Sequence, residues 1–191
     1  MKEKNSMRQR IIDSAWELFY EKGYEETTIM DIVQKSGVAK GSFYYHFKGK
    51  DTLLNTLASL LDRYYEELAE ELPGDMNSFD KLMYLNYRVH SYMERIDYKL
   101  LANQYATQLT KSEGSNLLDQ NRFYFRLIYE IVEEGQKRGE LRTDKSVQEI
   151  VRYYSMCERA LVTDWCMNNG EYSLGEFSRE YMPIMFGSIR A

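Results

Sequence analysis

The sequence predicts an all-α protein with about nine helices. Apolar residues recur at helical spacing through most of the chain, and runs that alternate between apolar and polar residues never exceed a few positions. Proline contributes only 2 of the 191 residues, so residues that break helices are scarce. With 43% hydrophobic and 29% charged residues, the chain can bury a sizeable core, which excludes a disordered or fibrous protein.

The first helix is predicted over residues 6–22. Ser6 and Gln9 have the spacing of a capping box, in which each side chain bonds the backbone amide of the other residue. Apolar residues then follow the 3.6-residue period as far as Gly23, and a glycine at this position often ends a helix. We therefore expect this helix to stop at residue 22.

A second, shorter helix is predicted to follow. Thr27 or Thr28 can cap its start, and its apolar face consists of Ile29, Ile32 and Val33. It ends at Ser36-Gly37, a turn pair in which the glycine can take a positive φ. The segment after this turn is too short for its periodicity to predict a structure.

The rest of the chain predicts longer helices, with the clearest break at Pro73-Gly74. The predicted ranges are 51–72, 77–95, 98–110, 117–138, 146–168 and 173–189. The first of these helices has an apolar stripe that includes Tyr64. Ser173 and Glu176 have capping-box spacing at the start of the last helix, and Pro183 is expected to kink it or to mark a looser turn.

Charge is distributed unevenly along the chain. The net charge is −5, which argues against a protein that coats nucleic acid over its whole surface. Residues 1–50 nevertheless have a balance of +2, whereas residues 51–191 have a balance of −7. Within residues 32–50 there are four lysines and no acidic residue. This pattern indicates a module that contacts phosphate at one end of the molecule only.

Residues 28–50 have the pattern of a helix-turn-helix. Such a motif needs an apolar first helix, a small turn residue and a second helix whose polar side chains can reach a partner. The polar side chains available on the second helix are Lys40, Ser42, Tyr45 and His46. Many helical hairpins share this spacing, so the pattern alone leaves a DNA-binding motif and an ordinary hairpin equally open.

A more specific signal is the string of residues 38–53, which reads Val-Ala-Lys-Gly-Ser-Phe-Tyr-Tyr-His-Phe-Lys-Gly-Lys-Asp-Thr-Leu. Preceded by Tyr24 and Thr27-Thr28, it closely resembles the recognition segment of the TetR (tetracycline-repressor) family of bacterial transcriptional regulators. The resemblance is dense over residues 6–54. It implies a three-helix DNA-binding domain at residues 1–50, joined by a long helix to a helical ligand-binding and dimerisation domain at residues 51–191.

The resemblance also implies which residues contact DNA. The matching positions are Thr28, Lys40, Gly41, Ser42, Tyr44, Tyr45, His46, Lys48 and Lys50. Thr28 is expected to meet phosphate at a helix N-terminus, and Lys40, Gly41, Ser42 and Tyr44 are expected to approach base edges. The positions expected to contact phosphate are Tyr45, His46 and Lys50, with Lys48 beside them. Phe43 and Phe47 are interpreted as core residues, because one face of so short a helix must be buried.

The C-terminal region is rich in tyrosine, with 13 of the 17 tyrosines after residue 50. An ordinary helical core with tyrosines at its margins explains any single one of them. The resemblance favours an effector pocket, for which the expected lining residues are Met83, Tyr87, His90, Tyr105, Phe123, Tyr124, Tyr154 and Glu158. Glu158 beside aromatic rings would favour a lipophilic cation, and a purely apolar lining would favour an acyl chain or another neutral molecule.

The last two helices are expected to form a homodimer. In proteins that this chain resembles, two such helices from each protomer form a four-helix bundle. The expected interface residues are Leu161, Trp165, Phe177, Tyr181, Ile184 and Met185. A dimer also suits a palindromic site on DNA, because one short helix contacts few bases.

The sequence therefore predicts a cytoplasmic, ligand-responsive regulator, a dimeric repressor that a small hydrophobic or aromatic effector releases from its operator. The alternative is a DNA-binding adaptor of the same fold that has no effector and acts through a protein partner. No enzymatic activity, cofactor, metal or membrane contact is expected. His46 and His90 are the only histidines, Cys157 and Cys166 face opposite sides of one helix, and no phosphate loop or nucleophile motif is present.

Overall fold

The computed structural model describes residues 2–110 and 117–191, and these residues form nine α-helices and no β-sheet. The helices are α1 (Lys2–Lys22), α2 (Ile29–Ser36), α3 (Lys40–His46), α4 (Leu57–Glu71), α5 (Ser78–Met93), α6 (Tyr98–Thr110), α7 (Phe123–Lys137), α8 (Val147–Met167) and α9 (Leu174–Phe186). The all-α prediction is confirmed. Among the described helices, none is long and apolar enough to cross a membrane.

The chain forms two compact units. The first contains the residues up to Ala58 and a segment that starts at Arg95, so α1, α2, α3 and α6 belong to it. The second contains Ser59–Glu94 and Leu117–Ala191, so it holds α5, α7, α8, α9 and most of α4. The chain passes from the first unit into the second within α4.

Three helices begin at caps that the sequence predicts. At the start of α2, the Thr28 side chain accepts a hydrogen bond from the Asp31 amide, and the Asp31 side chain accepts one from the Thr28 amide. Ser146 forms the same reciprocal pair with Glu149 at the start of α8, and Ser173 caps α9. Each cap bonds a backbone amide that the first turn of a helix leaves without a partner.

The turn between α2 and α3 is tight because Gly37 adopts a left-handed φ of 65°. Its amide donates to the carbonyls of Val33 and Gln34, which closes the end of α2. Any other residue would be strained at this φ, so the glycine fixes the direction in which the chain enters α3.

Two predicted helix starts are wrong. α1 begins at Lys2, so Ser6 is not its first cap, and the side chain of Ser6 lies outside the described residues. α7 begins at Phe123 rather than at residue 117. The Asp119 side chain accepts a hydrogen bond from the Asn121 amide (2.9 Å), and this local turn competes with helix formation before Phe123.

The single helix predicted over residues 51–72 is a 3₁₀ helix followed by an α-helix. Lys50–Thr56 forms the 3₁₀ helix, and α4 follows it directly. Within the 3₁₀ segment, the Thr56 hydroxyl donates to the carbonyl of Leu53 (2.6 Å). Tyr65 is buried and continues the face of Leu61 and Leu68, whereas the predicted stripe contained its neighbour Tyr64, which is half-buried.

The core of the second unit is built on the packing of α5 against α9. Phe79 and Phe186 stack with ring centroids 6.1 Å apart, and Gly175 lets the start of α9 approach α5. α9 continues past Pro183 to Phe186, so the proline does not end it. A 3₁₀ turn, Gly187–Ile189, replaces the last turn of the predicted helix.

Candidate nucleic-acid interface and effector site

Two aromatic residues fix α3 in the first unit. Phe43 and Phe47 are both buried, as the sequence predicts, with ring centroids 5.9 Å apart. The Arg8 guanidinium lies 5.3 Å from the centre of the Phe47 ring on the side of α1. Because these two rings occupy one face of a seven-residue helix, the other face of α3 is presented to solvent.

The solvent face of α3 has the polar residues that the sequence assigns to DNA contact. Lys40 is exposed, Tyr44 is 48% exposed and Tyr45 is 68% exposed. Ser42 is half-buried, and a Cβ placed on Gly41 would meet nothing within 4 Å, so the backbone there is open to a partner. This face has hydroxyl groups, one ammonium group and two aromatic rings, and it has no carboxylate.

Thr28 is already engaged at the start of α2. Its amide and its hydroxyl both donate to Asp31 Oδ2, each at a distance of 2.7 Å, and Lys22 forms an ion pair with the same oxygen at 2.7 Å. These bonds hold the pKa of the Asp31 carboxyl far below its usual range, the Lys22 hydrogen bond being the largest cause. A phosphate that binds the Thr28 amide therefore has to displace a carboxylate.

The four lysines of residues 32–50 do not behave alike. Lys35 pairs with Glu17 (3.2 Å) and Glu21 (2.8 Å) on α1. The Lys50 ammonium donates to the carbonyls of Tyr24 (2.6 Å) and Glu25 (3.3 Å), and it lies 4.1 Å from the centre of the Tyr24 ring. These two lysines stabilise the unit. Lys40 and Lys48 remain exposed, and His46 is half-buried with its ring 5.0 Å from that of Tyr45.

A buried carboxyl group lies at the centre of the second unit. Glu158 of α8 is only 8% exposed. Its Oε1 accepts hydrogen bonds from the Tyr65 hydroxyl (3.3 Å) and from Asn86 Nδ2 (3.4 Å), and its Oε2 accepts one from the Tyr124 hydroxyl. Tyr154, one helical turn before Glu158, donates its hydroxyl to the Leu82 carbonyl (2.8 Å). Side chains of α4, α5 and α7 thus bond to an acid that lies on α8.

Burial dominates the electrostatics of this cluster. Desolvation raises the pKa of Glu158, although the hydrogen bonds that its carboxyl accepts act in the opposite direction. Burial also raises the pKa values of Tyr65 and Tyr124 well above the usual value, and the Glu158 charge adds to the effect. The nearby Arg122 guanidinium is bound to Asp62 (2.8 Å), so Glu158 forms no ion pair among the described residues.

Three of the eight predicted effector residues, Tyr124, Tyr154 and Glu158, meet in this cluster. His90 is buried elsewhere in the unit, where its Nδ1 bonds the Ser178 hydroxyl, and desolvation lowers its pKa to about 3. Tyr87 donates to Glu176 Oε1 (3.3 Å) near the surface. Met83 and Phe123 are half-buried, and Tyr105 belongs to the first unit rather than to this cluster.

Sequence reasoning missed two members of the cluster. Tyr65 lies four residues after Leu61 and three before Leu68, both buried, so helical spacing was the available signal for it. Asn86 is 1% exposed, and its Oδ1 is buried without a hydrogen-bond partner. A single polar residue on an apolar helix face was the available signal for Asn86, because such a residue needs a buried partner. In the described part of the chain, no three His, Cys, Asp or Glu side chains are grouped to hold a metal ion.

The predicted dimer residues divide into two groups. Leu161 and Trp165 are buried within the second unit, so they do not reach its surface. Tyr181 and Ile184 of α9 are exposed, Ile184 by 72%, and Phe177 and Met185 beside them are half-buried. On α8 the exposed apolar residues are instead Met156, Ala160 and Met167. The surfaces of α8 and α9 therefore offer exposed apolar side chains at helical spacing.

Two family models together match almost the whole chain. The model described as "Bacterial regulatory proteins, tetR family" matches residues 11–57, and the model described as "YsiA-like protein, C-terminal region" matches residues 57–187. The fatty acid metabolism regulator protein of Bacillus subtilis (strain 168) is 26% identical over 195 residues, covering 99% of this chain and 98% of that protein. The transcriptional repressor KstR2 of Mycobacterium tuberculosis (strain H37Rv) is 24% identical and covers 97% of this chain and 94% of its own length.

Solved structures show the same fold. FadR from Bacillus subtilis, determined in complex with stearoyl-CoA, has a TM-score of 0.69 with 24% identity and covers 95% of this chain and 98% of that chain. A putative transcriptional regulator from Saccharomonospora viridis in complex with choline has a TM-score of 0.66 with 19% identity, covering 96% of this chain and 97% of its own. These two proteins share one architecture and were determined with very different ligands.

Proposed function

Because this chain belongs to the TetR family of bacterial transcriptional regulators, we propose that it is a homodimeric repressor that leaves a palindromic operator when a small effector binds its second unit. The chain is a transcriptional regulator and not an enzyme. What remains to be argued is how α3 reads DNA, how the dimer forms and where the effector binds.

The observation that carries the proposal is the solvent face of α3. Lys40, Gly41 and Ser42 open the helix, and Tyr44 and Tyr45 follow on its exposed side. A lysine ammonium suits the acceptors of guanine, a hydroxyl suits either base partner, and a tyrosine ring contacts the apolar edge of thymine. Because this face has no carboxylate, it can enter a major groove without repulsion by the phosphates.

The remaining predicted contacts are assigned to phosphate. Lys48 is exposed beside α3, and His46 is half-buried at its end. We assign Lys50 a double role, because the bonds of its ammonium to the Tyr24 and Glu25 carbonyls hold the loop before α2. Thr28 at the start of α2 contacts phosphate once the phosphate has displaced the Asp31 carboxylate from the Thr28 amide and hydroxyl.

A dimer supplies the second reading helix. Two copies of α3 that lie about one helical turn of DNA apart, on the order of 34 Å, read two half-sites of a palindrome. The exposed apolar side chains of α8 and α9 provide a surface for such a two-fold interface, with Ile184 and Met167 as its most exposed members. We assign the interface to this surface rather than to Leu161 and Trp165, which are buried within one protomer.

The effector binds at the cluster around Glu158. Tyr65 of this cluster lies on α4, the helix in which the chain passes from the first unit to the second. A ligand that replaces the contact of Tyr65 with Glu158 shifts α4 and changes the separation of the two α3 helices in the dimer. A coupling of about 1–3 kcal/mol per site weakens operator binding roughly 5- to 150-fold.

A binding titration with DNA tests the proposal. The purified chain is titrated against the intergenic fragment beside its own gene and against a scrambled fragment of equal length. We expect the protein to bind the natural fragment at least about 10³-fold more tightly than the scrambled fragment, on the order of the ratios found for specific regulators. Lys40→Ala tests the contribution of α3 to this difference. Its matched control is Lys137→Ala, which removes an exposed lysine of α7. Equal affinity for both fragments would contradict the proposed function.

A further inference from the structure

We infer that the effector is an organic cation with at least two N–H donors, a protonated amine or an amidinium, and that Glu158 is its counter-ion. This inference rests on the proposed function, because it identifies the chemical class of the effector of that regulator. It follows from the hydrogen-bond inventory of the cluster, from the ion-pair partner that Glu158 lacks among the described residues and from the aromatic rings beside the acid.

The hydrogen-bond inventory has more acceptors than donors. Glu158 accepts from Tyr65, Tyr124 and Asn86, but Asn86 Oδ1 is buried and accepts from nothing. Tyr154 is not available as a donor to Asn86, because its hydroxyl bonds the Leu82 carbonyl. An unpaired buried acceptor costs about 1–3 kcal/mol, so folding alone does not favour it. A ligand with one N–H for the carboxylate and another for Asn86 Oδ1 would satisfy both groups.

No cation forms an ion pair with Glu158 among the described residues. An ionised carboxylate inside a protein needs a cation or a metal as a partner, or it takes up a proton. The charge of Arg159 acts on Tyr124, and the Arg122 guanidinium, whose charge acts on Tyr65, forms a bidentate interaction with Asp62 through Nε and Nη2. Arg122 is thereby neutralised, and Glu158 has no ion-pair partner among the described residues. Burial raises the pKa of Glu158, as expected for a buried acid that has no counter-ion.

Aromatic rings lie beside the acid, and the Arg122 guanidinium is 5.6 Å from the centre of the Tyr124 ring. The rings of Tyr65 and Tyr124 lie 5.0 Å apart at an angle of 56°, and Phe125 is 4.7 Å from Tyr124. Ring faces attract a cation that has lost its water, and they also accommodate an apolar body attached to it. A carboxylate or phosphate ligand would instead face the Glu158 oxygens, which repel it when ionised. The cluster thus selects a positive ligand against a negative one.

The charge of the ligand acts on the ionisation of Glu158. Burial raises the pKa of this carboxyl, and a bound ammonium favours its ionised form. Binding of an ammonium therefore lowers the pKa of Glu158. The other ionisable groups that interact within this cluster are Tyr65, Tyr124, Tyr154, Asp62, Arg122 and Arg159. The three tyrosines keep their protons, because their pKa values are raised well above 10.

Isothermal titration calorimetry with four matched probes tests the inference. The probes are 2-phenylethylamine, its trimethylammonium analogue, 2-phenylethanol and phenylacetate, and each is titrated in two buffers with different ionisation enthalpies. We expect the amine to bind the wild-type protein at least 10-fold more tightly than the other three. Because a bound ammonium lowers the pKa of Glu158, any proton exchanged on amine binding should be released, and proton uptake would contradict the inference. This measurement requires no variant, so it tests Glu158 even where a substitution fails to fold.

Two substitutions localise the effect. Glu158→Gln keeps the size of the side chain and should weaken amine binding about 30-fold or more, as loss of a buried charge partner does. Asn86→Leu should weaken the amine but leave the trimethylammonium analogue unchanged, because only the amine uses Oδ1. Tyr87→Phe, which removes a hydroxyl near the surface of the same unit, is the matched control and should bind like wild type.

Operator titrations separate this inference from the proposed function. Without ligand, Tyr87→Phe should bind the operator as wild type does, and the operator affinity of each variant without ligand serves as its own reference. The amine should weaken operator binding only where Glu158 is intact. Tighter binding of phenylacetate than of the amine, with no effect of Glu158→Gln, would overturn the cation class while the repressor function stands. The cation class would also be overturned, and the repressor function would stand, if the protein binds its operator but binds no amine at millimolar concentration. Equal binding of the trimethylammonium analogue would refute the requirement for two N–H donors.

Discussion

At the scale of single residues, Lys40 is the side chain to which we assign sequence preference. It is the first residue of α3 and it is exposed. It forms no ion pair with another described residue, so its ammonium can reach a base edge. In contrast, Lys50 uses its ammonium to bond two backbone carbonyls. A lysine bound in the fold and a lysine open to solvent are indistinguishable in the sequence, and the structure separates them.

Lys40→Ala should relax base preference rather than abolish binding. The substitution removes one donor to a guanine edge, and discrimination at that base pair should fall by about 1–3 kcal/mol. Fluorescence anisotropy with the operator and with single-base variants, at several salt concentrations, measures this loss. Lys48→Ala should instead weaken every sequence alike and reduce the salt slope by about one. If Lys40→Ala leaves the ranking of the operator variants unchanged, Lys40 does not read a base.

His90 makes the stability of the second unit depend on pH. The folded protein holds this residue at a pKa of about 3 by burial, whereas the unfolded chain titrates near the ordinary value of 6.5. Between these two values the unfolded state binds more protons, so stability is complete above about pH 6.5 and is lost as the pH falls. At pH 5 the loss from this residue is about 2 kcal/mol.

Urea denaturation at pH 7 and pH 5 measures this effect when wild type is compared with His90→Gln. Glutamine can keep a hydrogen bond to the Ser178 hydroxyl but does not titrate. The wild-type protein should lose about 2 kcal/mol more than the variant between the two pH values. Glu158 acts in the opposite direction because its pKa is raised, and the comparison removes its contribution since both proteins contain it. Equal losses would show that His90 is protonated in the folded state.

At the scale of elements, helix caps were the most predictable feature of this chain. Thr28, Ser146 and Ser173 each begin a helix where the sequence indicates, because a hydroxyl that accepts from a first-turn amide is a local interaction. The 3₁₀ winding of residues 50–56 was not predictable from periodicity, and Tyr65 rather than Tyr64 is the buried tyrosine of α4. Three of the expected effector residues, Tyr124, Tyr154 and Glu158, lie together in the structure, and Tyr65 and Asn86 join them.

The assignment of α6 to a unit was likewise hidden from sequence patterns. Helix periodicity gives its range correctly as 98–110, but it does not say which partner covers its apolar face. In the structure, the segment from Arg95 packs with the N-terminal helices, and the Arg95 guanidinium lies 5.3 Å from the centre of the Tyr20 ring. Such pairings depend on long-range contacts, which local spacing does not specify.

Gly175→Ala should disturb the contact between α5 and α9. A Cβ at this position would lie 2.1 Å from Ser91 Oγ and 3.0 Å from Glu94 Oε1, and Glu94 also bonds the Gly175 amide. Overpacking of this kind costs about 1–3 kcal/mol, because one helix or its side chains must shift. A lower urea midpoint with an unchanged m-value would report it. Gly187→Ala is the matched control, since a Cβ there meets nothing within 4 Å. Equal midpoints for the two variants would contradict close packing at Gly175.

At the scale of the whole molecule, the DNA recognition that we propose depends on association of two chains. One α3 of seven residues contacts few base pairs, and a palindrome is read only when a second copy is held in register. The surface assigned to this task includes Ile184, which is 72% exposed, and Met167, which is 77% exposed. Side chains of this kind are costly to leave in water, at about 25 cal/mol per Å² of apolar surface, so a partner chain that covers them gains stability.

Ile184→Glu should therefore convert the dimer into monomers and reduce operator affinity with it. Two carboxylates that face each other across a two-fold axis repel each other and remain unpaired, which an apolar interface does not tolerate. Sedimentation equilibrium should give twice the 22.8 kDa chain mass for wild type and the chain mass for the variant. Leu118→Glu, at another exposed apolar residue outside α8 and α9, is the matched control and should stay dimeric. Operator affinity should fall steeply for Ile184→Glu alone, because each monomer then binds only a half-site. A dimer that persists in this variant with full operator affinity would place the interface elsewhere and separate dimerisation from α9.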